Sequence, residues 1–243
     1  MIKHLALLLL TASSLRAQEP ALTTEKVKNT AVVPADRNAD GWWAERHEAK
    51  TNLAAEHQFD LIFIGDSITH GFENSGKATW EKYYAPHNAL NLGFSGDRTQ
   101  NVIWRLDNGE LKNQENAKLI IMMIGTNNTG HVKQDPAETA AGVKKILTQL
   151  EEKTPKAKIL LLAIFPRSEK VDDEMRKIND AINKKLATFA DDKRVHFLDI
   201  SDKFLTEDGT LTREIMPDFL HPQEKGYQIW ADAMAPKIKE LGL

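Results

Sequence analysis

Five short runs of almost uninterrupted apolar residues limit what this chain can fold into: FDLIFIG (59–65), ALNLG (89–93), AKLIIMMIG (117–125), AKILLLAIFP (157–166) and RVHFLDI (194–200). They do not alternate with polar residues, so they read as strands covered on both faces. Between them lie segments with helical spacing: 78–85, 98–109, 135–153 and 171–191, with a further one before the first strand (40–57) and one after the last (221–241). Strand and helix in strict alternation predict βαβ units, and hence a parallel sheet clothed by helices. A chain of 243 residues, 41% of them hydrophobic, suits one domain of this α/β kind.

Ahead of this pattern the sequence behaves differently. Lys3 followed by the apolar run Leu5–Leu10 and a cut after Ala17 reads as an export signal over 1–17, too short to span a bilayer. Residues 18–39 carry two prolines and no period, and read as a leader or loosely docked arm before a domain at 40–243. The chain has no cysteine, which excludes a disulfide framework, a thiol nucleophile and a cysteine-linked lipid anchor. The expected location is therefore periplasmic or secreted, with no membrane anchor. Formal charge is −3, and removing 1–17 takes Lys3 and Arg16 but no acid. A mildly acidic chain with interspersed charges offers no footprint for nucleic acid or anionic lipid, so a neutral or carbohydrate-like substrate fits better. The sequence allows a monomer or a homodimer.

In open parallel sheets, ligands bind beyond the carboxyl ends of the strands. Those ends are where this chain keeps its chemistry: GDS (65–67), NLGFSGDRT (91–99), GTNN (125–128) and, in the last loop, DFLHP (218–222). Each fragment alone has an ordinary reading: Ser67 a helix cap, Gly96 a tight turn, Asn127 a turn residue, Asp218 a solvated acid. Together they supply acyl transfer. A serine hydroxyl needs a base; His221 can take its proton and return it; a carboxylate, Asp218, can orient the imidazole. The Gly96 amide and the Asn127 side chain can donate to a developing oxyanion. His221 precedes Pro222, which disfavours helix at the histidine and suits the first helical position itself.

These blocks resemble the SGNH-hydrolase (GDSL esterase/lipase) superfamily, from about Asp60 to Tyr227. HNALNLGFSGDRTQNVIWRLDNGEL (87–111) and DFLHPQEKGY make the chain most like the catalytic subunits of platelet-activating-factor acetylhydrolase and their bacterial relatives. The resemblance implies a flavodoxin-like three-layer α/β/α fold with a five-stranded parallel sheet. It implies Ser67 as nucleophile, His221 as base, Asp218 as its partner, and an oxyanion hole of the Ser67 and Gly96 amides and the Asn127 side chain, with no metal and no cofactor. The chain departs from the family in having Ile68 after the nucleophile instead of leucine, and in its export signal. The expected activity is hydrolysis of a short carboxylic ester, an acetyl group on carbohydrate above all. Alternatives are a phospholipid or small-ester acetylhydrolase and, from another class, a carbohydrate-binding protein on an inactive hydrolase fold. A flavin or nucleotide binder is disfavoured by the acid in GDSITHG, where a phosphate loop would need glycine or hydroxyls.

Ile68, Phe94 and Leu220 are candidate linings of the acyl site, and Arg98 a candidate substrate contact or else a structural ion pair. His70 reads as a loop residue near the site and His196 as a core histidine. His47, His57, His87 and His131 lack metal-ligand spacing. Trp42, Trp43, Trp80 and Trp104 read as helix-packing residues.

Overall fold

The computed structural model describes residues 29–243. The expected signal at 1–17 lies outside the described residues. Five strands, β1 (Leu61–Gly65), β2 (Ala89–Gly93), β3 (Leu119–Met123), β4 (Lys158–Leu162) and β5 (Val195–Leu198), pair in parallel in the order β2-β1-β3-β4-β5. The chain builds outward from β1 in one direction and then, from β3, in the other. The crevice between β1 and β3 is thus the topological switch point of a flavodoxin-like sheet.

Strand side chains alternate between two apolar layers. Ile62, Ile64, Ile120 and Met122 pack under helices α4 (Thr99–Asp107), α6 (Pro136–Lys153) and α7 (Glu174–Leu186), with the end of α1 (Gly41–Glu56) beside them. Leu61, Phe63, Ile121 and Met123 face the opposite layer, which includes α3 (Lys77–Tyr83) and α8 (Glu224–Leu241). That second layer is aromatic: Phe72 lies 4.7 Å from both Tyr227 and Trp230, and Phe63 4.7 Å from Tyr84, between ring centroids. Such pairs add to the area they bury. Two short helices, α2 (Ser67–His70) and α5 (Thr126–Val132), start directly beyond β1 and β3.

Local chemistry sets the element ends. Asp135 accepts from Ala137 N at 2.7 Å ahead of Pro136 and starts α6; Asp173 accepts from Met175 N at 2.8 Å and starts α7. The apolar run after Lys158 leaves the ladder at Leu162 but stays buried through Phe165, because the Asn183 side chain satisfies both backbone groups of Ile164 (2.8 and 2.9 Å).

Residues 29–39, part of the expected loose arm, are tied down. Ala31 is fully buried, and the carbonyls of Ala31, Val32 and Ala35 accept from Thr99, Lys145 and Asn101, each at 2.9 Å. These anchors are side chains bonding to backbone, which leave no hydrophobic period to read. Among the described residues no helix is long and apolar enough to cross a membrane.

Candidate active site

β1 ends at Gly65 because nothing larger fits there. A Cβ on that residue would collide with the Thr69 side chain and approach Met123 O to 2.7 Å. The chain turns at Asp66, whose Oδ1 accepts from Ile68 N at 3.0 Å and caps α2. Capping is therefore done by Asp66, and the Ser67 hydroxyl is left free for another partner. That partner is His221: Ser67 Oγ lies 2.8 Å from Nε2. From the opposite side, Tyr227 OH on α8 donates to Ile68 O at 2.8 Å and fixes the turn.

His221 is held by its own loop. Asp218 Oδ2 is 2.6 Å from His221 Nδ1, and Oδ1 accepts from the amides of His221 (2.8 Å) and Leu220 (3.0 Å). With Nδ1–H donating to the carboxylate, Nε2 is the acceptor for the serine proton. Burial works against the Asp218 anion, but the His221 ring and the two amides outweigh it and hold its carboxyl below the usual range. The wrap requires Phe219 at φ +57°, with Phe219 O accepting from Ser168 N at 2.9 Å. Helix α8 begins at Glu224, two residues beyond Pro222, which was expected to be the first helical residue.

Gly96 lies in the loop after β2 with φ +79°, a conformation glycine adopts without strain. Asn127, in the first turn of α5, donates through Nδ2 to Asp97 O at 2.9 Å, tying the third strand end to the Gly96 loop. Arg37, from the segment before α1, reaches over the same loop: Nη1 donates to Ser95 O (2.7 Å) and to Asp97 Oδ1 (3.1 Å). A Cβ on Gly96 would sit 3.0 Å from that guanidinium. Ser95 Oγ lies 3.0 Å from His70 Nδ1. Burial, then Arg46, pushes the His70 imidazole down to about 4, so it stays neutral near pH 7.

The comparisons with known proteins bear on this geometry. A model of the GDSL-like lipase/acylhydrolase family matches residues 63–229. The chain belongs to that family. With membership comes the class of reaction, carboxylic ester hydrolysis. The chain is 33% identical over 195 residues to platelet-activating factor acetylhydrolase IB subunit alpha1 of Homo sapiens, covering 79% of this chain and 80% of that one. It is 34% identical over 197 residues to subunit alpha2 of Gallus gallus, covering 79% and 83%. Two solved structures share the fold. A GDSL-like lipase of Bacteroides thetaiotaomicron has TM-score 0.67, 16% identity, and coverage of 81% and 97%. Axe2, an acetylxylan esterase of Geobacillus stearothermophilus, has TM-score 0.60, 20% identity, and coverage of 76% and 94%.

The family's four blocks thus meet at one sheet edge, Ser67 and Asp218 each bonded to His221 and Gly96 and Asn127 joined through Asp97. The residues expected to line the acyl site separate. Phe94 is fully buried, its ring centroid 3.9 Å from the Arg105 guanidinium and 5.0 Å from that of Arg46, so it presents no surface to a substrate. Ile68 is 1% exposed, within the aromatic layer. Leu220 alone remains half-exposed. Trp43 is buried as expected of a packing residue, but Trp42 is 43% exposed, with the Arg37 guanidinium 5.5 Å from its ring.

The sequence reading missed Arg37, Arg105, Glu110 and Arg167. Arg105 is fully buried, bonded to Asp97 Oδ2 at 2.8 Å and to Glu110; His47 Nδ1 lies 3.1 Å from Glu110 on the far side. The available signal was an arginine on the apolar face of the helix over 99–107, beside Val102 and Leu106.

Proposed function

We propose that the protein removes short acyl groups, acetyl above all, from carbohydrate esters by way of an acyl-serine, and that it acts outside the cytoplasm. The observation that carries this reading is the relay from Asp218 through His221 to the Ser67 hydroxyl. Ser67 Oγ attacks the ester carbonyl carbon while His221 Nε2 takes its proton. The carbonyl oxygen becomes an oxyanion facing the Ser67 and Gly96 amides and the Asn127 side chain. The bond to the alcohol oxygen breaks, and that oxygen receives the proton from His221. Water then attacks the acyl-serine by the same route, releasing the carboxylic acid and restoring Ser67. Asp218 keeps its charge throughout and stabilises the imidazolium.

Short acyl groups fit because Leu220 is the one of three expected lining residues that reaches the surface, which leaves a long alkyl chain poorly covered. The exposed ring of Trp42, close to the Gly96 loop through Arg37, suits a sugar ring. The likeness to acetylhydrolase subunits supports a second reading, deacetylation of a phospholipid or other small ester.

A fluorophosphonate probe should label Ser67, located by mass spectrometry, and Ser67→Ala should abolish both labelling and hydrolysis, with kcat down by roughly 10⁴-fold or more. A Ser67→Ala protein that keeps most of its rate refutes the mechanism. On p-nitrophenyl esters, acetate should outrun octanoate. Acetylated xylan and an acetylated phospholipid, assayed side by side, separate the two substrate readings.

A further inference from the structure

The oxyanion side of the site carries more positive charge than its neighbours neutralise. Arg98 follows Gly96 and Asp97 directly. The sequence leaves it two roles, substrate contact or structural ion pair, and the second does not materialise: among the described residues its side chain pairs with no carboxylate, and its bonds are those of its backbone, the N–H donating to Asn101 Oδ1 at 2.9 Å and the carbonyl accepting from Asn101 N at 3.0 Å and Val102 N at 3.3 Å. It is nonetheless half-buried. Arg167, in the loop after β4, flanks the other half of the hole. Its Nη1 donates to Thr126 O at 2.7 Å and to Thr126 Oγ1 at 3.2 Å, beside Asn127, and it presses against Gly130. It too forms no ion pair among the described residues.

Arg37 closes the third side above Gly96. Its charge is compensated, by Asp40 at 2.8 Å and, shared with Arg105, by Asp97 at 3.1 Å, so the charges left without a carboxylate are those of Arg98 and Arg167. The acids acting on Arg167 through space are Asp173, Asp66 and Asp218. Of these, Asp173 caps α7, Asp66 is buried, and Asp218 is bonded to His221. His131 stands one residue beyond Gly130. Burial, then the charges of Arg98, Arg37 and Arg167, hold its imidazole below the ordinary range, so it offers hydrogen bonding without charge.

Two guanidiniums without a carboxylate partner, that of Arg98 two residues after Gly96 and that of Arg167 beside Asn127, run against a net charge of −3, and both act through space on His131. The net charge spoke for a neutral substrate; the local field speaks otherwise, and local field is what a bound ligand meets. Guanidinium is the group suited to carboxylate and phosphate. An acetyl group has no charge, so an anion meeting this rim belongs to the rest of the substrate.

We infer that the rim formed by Arg98 and Arg167 receives an oxyanion group, carboxylate or phosphate, on the alcohol half of the ester, placing the acyl carbon at Ser67. This rests on the esterase reading above. An acetylated uronic acid would supply a carboxylate and an acetylated glycerophosphate a phosphate; the shared chemistry is an anion beside the scissile ester.

The test compares kcat/KM for 4-acetoxybenzoate and phenyl acetate, then for acetylated galacturonic acid, acetylated galactose and acetylated glycerol phosphate. In the wild type the charged member of each set is preferred. Arg98→Gln should lower the charged-to-neutral ratio about tenfold, mainly through KM, and 0.5 M salt should do the same. Arg98→Glu should invert the preference. The sugar and phosphate arms then show which anion is favoured. A ratio that no Arg98 variant and no salt changes, with both aryl esters hydrolysed, overturns the rim and leaves the esterase reading standing. Failure to hydrolyse any of the five esters overturns the esterase reading, and the rim with it. Discrimination between the aryl esters without hydrolysis of any sugar ester overturns only the carbohydrate assignment.

Discussion

Ser67 is available to His221 because Asp66 takes over the cap, and the arrangement leaves a mark on Asp66. Burial pushes its carboxyl up to about 7, against a backbone bond from Ile68 and the charge of His221 that act to lower it; Oδ2 has no partner among the described residues. A carboxyl with a raised folded-state pKa favours folding in its protonated form. That contribution is complete below about 3.8, the unperturbed value, and is lost as pH rises through 7. Asp66→Asn keeps the acceptor for Ile68 N and removes the charge. The melting temperature of this variant minus that of the wild type should therefore grow by several degrees between pH 5 and pH 8; a constant difference would show that Asp66 titrates normally. Asn127 permits a second argument at this scale. Its side chain has two N–H groups, one spent on Asp97 O. Asn127→Ala should lower kcat by about 10²–10³ with little change in KM, as loss of an oxyanion donor does. Asn127→Asp, of the same shape but without the donors, should be no better. An unchanged kcat in a stable Asn127→Ala protein removes the residue from the hole.

Among the elements, strands and long helices were legible because their signal is the burial that forms them. All five apolar runs are strands, and the helix expected at 135–153 is observed at 136–153. Helix α5 was not legible: TNNTGHV has no apolar stripe, and it forms on bonds such as Asn128 Oδ1 to Thr99 N (3.0 Å) and Thr129 Oγ1 to Asn179 Oδ1 (2.7 Å). Phe94 was misplaced for the converse reason. An aromatic residue beside a site looks like a lining residue, and nothing in sequence spacing shows that two arginines already enclose its ring. The segment at 29–39 is the element with the most consequence for the site, since Arg37 holds both neighbours of Gly96, Ser95 by its carbonyl and Asp97 by its carboxylate. Arg37→Ala should lower kcat on a neutral aryl acetate about tenfold, with a smaller change in KM, because it loosens a donor needed chiefly in the transition state. Arg37→Lys should recover part of the loss. A variant that begins at residue 40 should show the same kinetic defect together with a lower melting temperature. If it keeps its full kcat, the segment has no part in catalysis.

At the scale of the whole molecule, one charged network runs inside a fold otherwise held by two apolar layers. Arg105, with no exposed surface, joins Asp97 in the Gly96 loop to Glu110 after α4, and Arg37, Trp43 and His47 extend it to the segment before α1 and to α1 itself. Burying an ion pair adds little net stability against an apolar filling of the same shape, but removing one partner strands the others. Arg105→Leu would leave Asp97 with its Oδ2 partner gone and Glu110 buried with only His47. The expected cost is about 3–5 kcal/mol, which for a chain of this size lowers the melting temperature by roughly 6–20 °C. The triple variant Arg105→Leu, Asp97→Asn, Glu110→Gln removes the stranded charges and should regain much of that temperature. It should regain activity only in part, since an uncharged amide at 97 accepts from Arg37 more weakly than the carboxylate that helps hold the Gly96 loop. Recovery of stability without full recovery of kcat would place the network's value in positioning the site, and full recovery of both would reduce it to a packing feature. A melting temperature within 2 °C of wild type in Arg105→Leu would show that the two carboxylates find water or protons and that the network holds nothing.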